Sequence, residues 1–232
     1  MRRPAFEPGP GWQTLSVPLT FDDLVLRARA LPRGGRRAIL GIAGSPGAGK
    51  STLAERLVRE LNGTGDPWVA HVPMDGFHLA DAELERLGRR ARKGAPDTFD
   101  AAGYAALLRR LRDEPGDDVV YAPGFERVLE QPVAGAIPVF PTARLVITEG
   151  NYLLLDTGAW PRIRPLLDEV WFCELPERER VRRLVVRHEQ FGKTHDEAVA
   201  WVSRSDERNA ELVATSRGRA DLVVPQSALR GN

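Results

Sequence analysis

Cysteine occurs once in this 232-residue chain, at Cys173, and lysine three times, at Lys50, Lys93 and Lys193, among 33 basic residues. One cysteine cannot close an internal disulfide, so packing has to hold the fold. No apolar run approaches the roughly 18 residues that cross a bilayer, and no signal-peptide core opens the chain, so the expectation is a cytoplasmic protein without a membrane partner. Net charge is +1, with the arginines offset by 32 acids and scattered along the length. That balance leaves no basic stripe, and nucleic acid is not expected as a partner. The chain holds no Asn-Lys pair, hence no guanine-reading Asn-Lys-x-Asp, and no Leu-Ser-Gly-Gly signature of a transport ATPase. Internal repeats, low-complexity tracts and heptads are also missing. Oligomeric state is open, a homodimer being compatible with all of this.

The length suits one α/β domain with a small insertion. Residues 1–18, with four prolines and little periodicity, read as a loose leader. Thr20-Phe21-Asp22-Asp23 resembles a capping box with Asp for Glu, and Leu24, Leu26, Ala28 and Leu31 continue the helix until Pro32-Arg33-Gly34-Gly35 stops it. Residues 1–35 thus form leader and helix, and 36–232 the main domain. Short branched or aromatic runs at Ala38–Ala43, Trp68–Pro73, Arg144–Thr148, Asp168–Glu174 and Asp221–Val224 alternate with helix-length segments. This alternation predicts an α/β fold with a five-stranded, mainly parallel sheet covered by helices on both faces. Its ligand crevice lies beyond the carboxyl ends of the strands. Residues 86–142, rich in Pro, Gly and charge, read as a helix over Ala101–Arg112 plus irregular substrate-facing segments.

The first strand runs into Gly44-Ser45-Pro46-Gly47-Ala48-Gly49-Lys50-Ser51, which fits G-x-x-x-x-G-K-[ST], and Thr52 opens a helix to Leu61. Such a loop points successive N–H groups inward and presents the helix N-terminus to the same anion, which makes it a phosphate cradle. Lys50 would reach the β- and γ-phosphates and the Ser51 hydroxyl would take a place on Mg²⁺.

Acids follow two further strands. Asp75, in Met74-Asp75-Gly76-Phe77-His78, could accept the proton of an attacking hydroxyl or cap a helix over residues 80–88; the residue alone does not choose. Beside it, His78 is either a substrate contact or a capping residue. Glu149 ends a strand abruptly before Gly150, where an acid holds water on Mg²⁺ or is simply solvated. From Pro176 runs a helix with acids in its first turn and arginines later, the order helix electrostatics favours; most of these side chains read as solvated. Arg183 and Arg187 share a face, and the break at Gly192-Lys193-Thr194 would let residues 176–195 act as a hinged lid over ATP. The next helix is read as continuous from His195 to about Thr215. On it Asp206 and Asn209 lie at i,i+3 and either touch substrate or are solvated, the commoner use of such residues.

Taken together, these motifs resemble the family of P-loop small-molecule kinases that includes uridine kinase, type I pantothenate kinase and phosphoribulokinase. The likeness spans about residues 36 to 225. Its carriers are the P-loop through Thr52, Met74–His78, Lys93-Gly94-Ala95-Pro96-Asp97-Thr98-Phe99-Asp100, Tyr121-Ala122-Pro123-Gly124-Phe125-Glu126-Arg127 and Ile147–Tyr152. The nearest branch is that of bacterial proteins named nucleoside/nucleotide kinase family, some labelled fructose-transport-system kinases. The resemblance implies a P-loop NTPase fold, ATP with Mg²⁺, and a small-molecule hydroxyl acceptor, with Asp75 as base, Glu149 near the metal and Arg187 as lid arginine. Where pantothenate kinase has Tyr and His after its Ala-Pro, this chain has Phe125 and Arg127, which exchanges a phenol and an imidazole for a hydrocarbon ring and a permanent cation. Phe125, Arg127, Lys93, His78 and Asn209 are the candidate acceptor contacts, with Lys93 and Arg127 alternatively paired to acids such as Glu126 and Asp97. The expected activity is phosphoryl transfer to a sugar or nucleoside-like acceptor. The alternatives are pantothenate kinase, an ATP-dependent ligase built on the same loop, and a catalytically idle nucleotide-binding regulator.

Overall fold

A computed structural model describes residues 18–113 and 117–229, so most of the leader lies outside the described residues. The first helix, α1 (Phe21–Arg29), begins as its sequence dictates: Thr20 Oγ1 accepts from Asp23 N at 3.2 Å while Asp23 Oδ2 accepts from Thr20 N at 2.9 Å. It ends at Arg29, two residues short of the expected Leu31. Then follow β1 (Ala38–Ala43), α2 (Lys50–Asn62), β2 (Val69–His71), a 3₁₀ turn at Met74–Phe77, α3 (Asp81–Arg86) and α4 (Ala101–Asp113). The second half comprises β3 (Val120–Glu126), β4 (Gln131–Val139), β5 (Leu145–Glu149), β6 (Glu169–Cys173), α5 (Glu177–Gln190), α6 (His195–Trp201), α7 (Glu207–Ala214), β7 (Leu222–Val224) and α8 (Gln226–Leu229).

Five strands pair in the order β2-β5-β1-β6-β7, every pairing parallel. From the central β1 the sheet extends to β5 on one side and β6 on the other, and a crevice at such a point opens beyond the strand ends. Because side chains alternate across a strand, β1 feeds two cores. Ile39 and Ala43 join Tyr104, Leu108, Tyr152 and Trp160 on one face. Leu40 and Ile42 join Leu53, Leu57, Trp171 and α1's Leu24 on the other.

Two segments differ from expectation. Residues 120–139, read as irregular, form an antiparallel hairpin of β3 and β4. Its prolines and glycines disguise it: Pro123 falls in a register break between Ala122 and Gly124, and Pro132 and Pro138 lie on β4, whose two-stranded sheet leaves each strand an open edge that tolerates a missing N–H. The helix expected from His195 to Thr215 is interrupted by a π-helical stretch, Val202–Asp206, between α6 and α7. A single inserted residue produces such a stretch without disturbing the hydrophobic pattern, so periodicity does not reveal it.

Candidate active site

The loop from Gly44 to Gly49 joins the buried end of β1 to the first turn of α2. At Gly47 φ is +78°, and a Cβ there would lie 2.9 Å from Arg180 O and from Leu184 Cγ; only glycine fits. Gly49 caps α2 without a side-chain bond, so the first N–H groups of a 13-residue helix remain available to an anion. Lys50 folds back, its Nζ donating to Ser45 O at 3.1 Å. Burial holds its ammonium below the ordinary lysine range, with Glu149, Cys173 and Asp75 opposing and Arg187 adding to the shift. Ser51 Oγ donates to Glu149 Oε1 at 2.9 Å.

Glu149 stands at the end of β5, in register with Ile42 of β1, and is buried rather than solvated. Burial raises its carboxyl, the Asp75 charge raises it further, and Lys50 works the other way. A hydroxyl and a carboxylate held together beside a phosphate cradle match the way Mg²⁺ is bound, by few protein oxygens completed by phosphate and water. Among the described residues no cluster of three His, Cys, Asp or Glu forms an all-protein cage.

Asp75 lies in the Met74–Phe77 turn. It does not cap α3, whose N-cap is Ala80 without a side-chain bond. Its Oδ2 is 3.4 Å from Arg127 Nη2, and its carbonyl meets His78 Nδ1 at 2.8 Å. His78 is a packed ring, centred 4.0 Å from Phe99 and 4.8 Å from Phe125, and burial pulls its imidazole down. Arg127 and Lys93 each approach the Phe125 ring at 5.5 Å, a cation–π distance. Neither cation takes the acid partner its sequence neighbourhood suggested. Lys93 binds Asp81 at 2.7 Å and the Glu130 carbonyl, Asp97 goes to Arg92 and Arg89, and Glu126 Oε1 accepts from Val128 N. The hairpin brings the 127–130 tip over Asp75 and Lys93, which sequence distance did not reveal.

All of these meet in one cavity of 360 Å³, lined by Pro46, Gly47, Lys50 and Ser51 on the loop side and by Asp75, His78, Lys93, Phe125, Arg127, Glu149, Arg187 and Asn209. Gly44, Ser45, Ala48, Gly49 and Thr52 complete the loop and helix start without lining it. Asn209 and Asp206 are buried, not solvated, the one in the first turn of α7 and the other at the end of the π stretch. Arg183 pairs with Glu179 at 2.9 Å and stays outside the lining.

Several side chains read as solvated or passed over belong here. Arg180 is buried, with Nη2 2.7 Å from Glu207 and Nη1 donating to Pro46 O at 3.3 Å, so it ties the loop to α7. Its spacing of seven from Arg187, two helical turns on one face, was the available signal. Arg90, His188 and Trp201 also line the cavity and carried no motif that marked them; Lys193, which the sequence marked only as part of a hinge, lines it too.

With that geometry in place, similarity to known proteins is specific. A model of the family described as "Methylmalonyl Co-A mutase-associated GTPase MeaB" matches residues 22–76, which is α1 through the Asp75 turn and so the P-loop unit alone. A Schizosaccharomyces pombe protein provisionally named uridine kinase is 36% identical over 220 residues, covering 91% of this chain and 92% of its own. The pantothenate kinase of Leifsonia xyli subsp. xyli is 30% identical over 90% of this chain and 70% of its own. A crystal structure from Silicibacter sp. TM1040, provisionally named a fructose transport system kinase, superposes with a TM-score of 0.80 at 38% identity, covering 89% of this chain and all of that one. Relatives at 30% identity or more cover about nine-tenths of this chain, and the chain belongs to the family of P-loop kinases that includes the uridine and pantothenate kinases.

Proposed function

We propose that the protein transfers the γ-phosphoryl group of ATP to a hydroxyl of a small polar metabolite, sugar-like or nucleoside-like. The observation that carries this reading is the convergence of Lys50, Asp75, Glu149 and Arg187 on one cavity beside the P-loop. Asp75 accepts the proton as the acceptor oxygen bonds to the γ-phosphorus, and the bond from that phosphorus to the β,γ-bridging oxygen breaks, releasing ADP. Arg127, 3.4 Å from Asp75 Oδ2, orients that carboxylate until substrate arrives. Lys50 and Arg187 neutralise charge on the phosphoryl oxygens, and cations fixed in a buried site do this without reorganising. Ser51 and Glu149 would hold Mg²⁺, which neutralises β- and γ-phosphate oxygens when bound. Relatives named for uridine, pantothenate and fructose fit an alcohol acceptor and differ over which one.

ADP formation measured across nucleosides, pantothenate, ketohexoses and pentoses tests the reading. With the best acceptor, Lys50→Ala is expected to lower kcat by about 10² or more, the usual loss for a preorganised charge stabiliser. Asp75→Asn should keep ATP binding and lose transfer. If Lys50→Ala turns over within a few-fold of wild type, or Asp75→Asn still transfers, the assigned roles are wrong.

A further inference from the structure

One wall of the cavity is made by the last residue of the π stretch and the helical turn that follows it. That segment divides its side chains between two tasks. Glu207 meets Arg180, which holds Pro46 O, and Ala210 O accepts from Ser45 Oγ at 3.4 Å, so this side grips the P-loop. Asp206 and Asn209, each 9% exposed, face the cavity. Both are anchored from behind: Asp206 Oδ2 meets His188 Nε2 at 2.9 Å, and Asn209 Nδ2 donates to Gly94 O at 3.3 Å. Among the described residues Asp206 Oδ1 and Asn209 Oδ1 take no protein hydrogen bond, yet neither is sealed from solvent. Two acceptor oxygens on largely buried, cavity-lining side chains call for hydrogen-bond donors.

We infer that Asp206 and Asn209 form the specificity wall of the acceptor pocket and that the acceptor they read is a vicinal diol, its adjacent hydroxyls donating to Asp206 Oδ1 and Asn209 Oδ1. This rests on the kinase reading above. Residues three apart on a helical turn have Cβ atoms about 5–6 Å apart, and their short side chains can converge on neighbouring hydroxyls. An ammonium donor fits poorly, because Lys50, Arg90, Lys93, Arg127, Arg187 and Lys193 line the same cavity. A neutral or anionic polyol meets both demands.

The test uses thermal-shift and calorimetric titration of the full chain with Mg²⁺ and AMP-PNP. The probes are D-fructose, D-ribose, D-arabitol, D-gluconate, D-glycerate and uridine, with 2′-deoxyuridine and pantothenate as compounds lacking adjacent hydroxyls. At least one diol should bind the nucleotide-loaded wild type, and both compounds without the diol should bind at least 10-fold more weakly. Asp206→Asn and Asn209→Ala should each weaken that diol about 10- to 100-fold while AMP-PNP affinity stays within two-fold. In turnover the loss should fall on KM for the diol more than on kcat. If AMP-PNP binds and no diol does, if pantothenate or 2′-deoxyuridine binds as well as any diol, or if folded variants keep diol affinity, the inference is wrong and the kinase reading stands. If AMP-PNP fails to bind the wild type, both fall. Comparison of diol and deoxy compounds on the wild type decides the matter even where a variant does not fold.

Discussion

Burial disfavours the charged forms of both Lys50 and Glu149, and the charge of each works against that shift in the other. His71, on β2, is partly buried, with its ring nitrogen Nε2 shut off from solvent and no such compensation. Among the described residues its Nε2 has no partner, and burial pulls its imidazole down to about 4. In the unfolded chain a histidine titrates near 6.5, so between about pH 4 and 6.5 the unfolded state binds more protons than the folded one. Stability is therefore complete above about pH 6.5 and falls as the pH drops toward 4, by at most about 3.5 kcal/mol at about 1.4 kcal/mol per pH unit. His71→Leu removes the titration and a buried polar atom together. Urea midpoints measured from pH 7 to 4.5 should fall less steeply than in wild type, with stability at pH 7 unchanged or higher. An unchanged slope would place the acid sensitivity in other groups.

At the scale of elements, the chemistry depends on how closely the hairpin β3–β4 sits on the Asp75 turn. A Cβ on Gly76 would lie 2.2 Å from Pro123 O, a backbone atom that cannot swing aside. Gly76→Ala must push the hairpin away, and overpacking of this kind costs about 1–3 kcal/mol or more. Because Arg127 and Phe125 ride on the hairpin, the variant should lose acceptor turnover far beyond its loss in denaturant midpoint. Gly124→Ala, whose nearest contact is the Ala136 side chain at 3.1 Å, should be milder on both measures. If the two variants behave alike, hairpin docking does not govern the site. The same elements show what the sequence could and could not reveal. Asp75 and Glu149 were legible because a parallel sheet delivers its ligand residues at strand ends, and the P-loop because its glycines and lysine have few other uses. The 127–130 tip was not, since Pro123, Pro132 and Pro138 read as loop, and its contact with Asp75 joins residues 52 positions apart. Asp206 was named with Asn209 but left between a substrate contact and a solvated side chain, because periodicity does not show the π stretch, and Arg180 was lost in a run of arginines of which Arg182 and Arg183 pair with Glu179.

Across the whole molecule, the P-loop is the joint at which separate layers meet. β1 supplies side chains to both cores, α2 carries Lys50, α5 holds Pro46 through Arg180, and α7 meets the loop through Ala210. A ligand that grips the loop therefore engages the central strand, both helical layers and the segment bearing Arg187. Binding to the folded state alone stabilises it by about 2.7 kcal/mol at 100 times Kd, and each kcal/mol moves the Tm of a chain this size by about 2–4 °C. AMP-PNP with Mg²⁺ at that excess should raise Tm by about 5–10 °C in a single transition. Chelating the metal with EDTA should remove most of the gain, because Ser51 and Glu149 then meet the nucleotide without a cation between them and Glu149 repels the phosphates. Lys50→Ala should reduce the gain without lowering the Tm of the ligand-free protein, since removing the side chain also removes a buried charge. A full shift in EDTA would show that the nucleotide binds without the metal and would overturn the metal-holding role of Ser51 and Glu149.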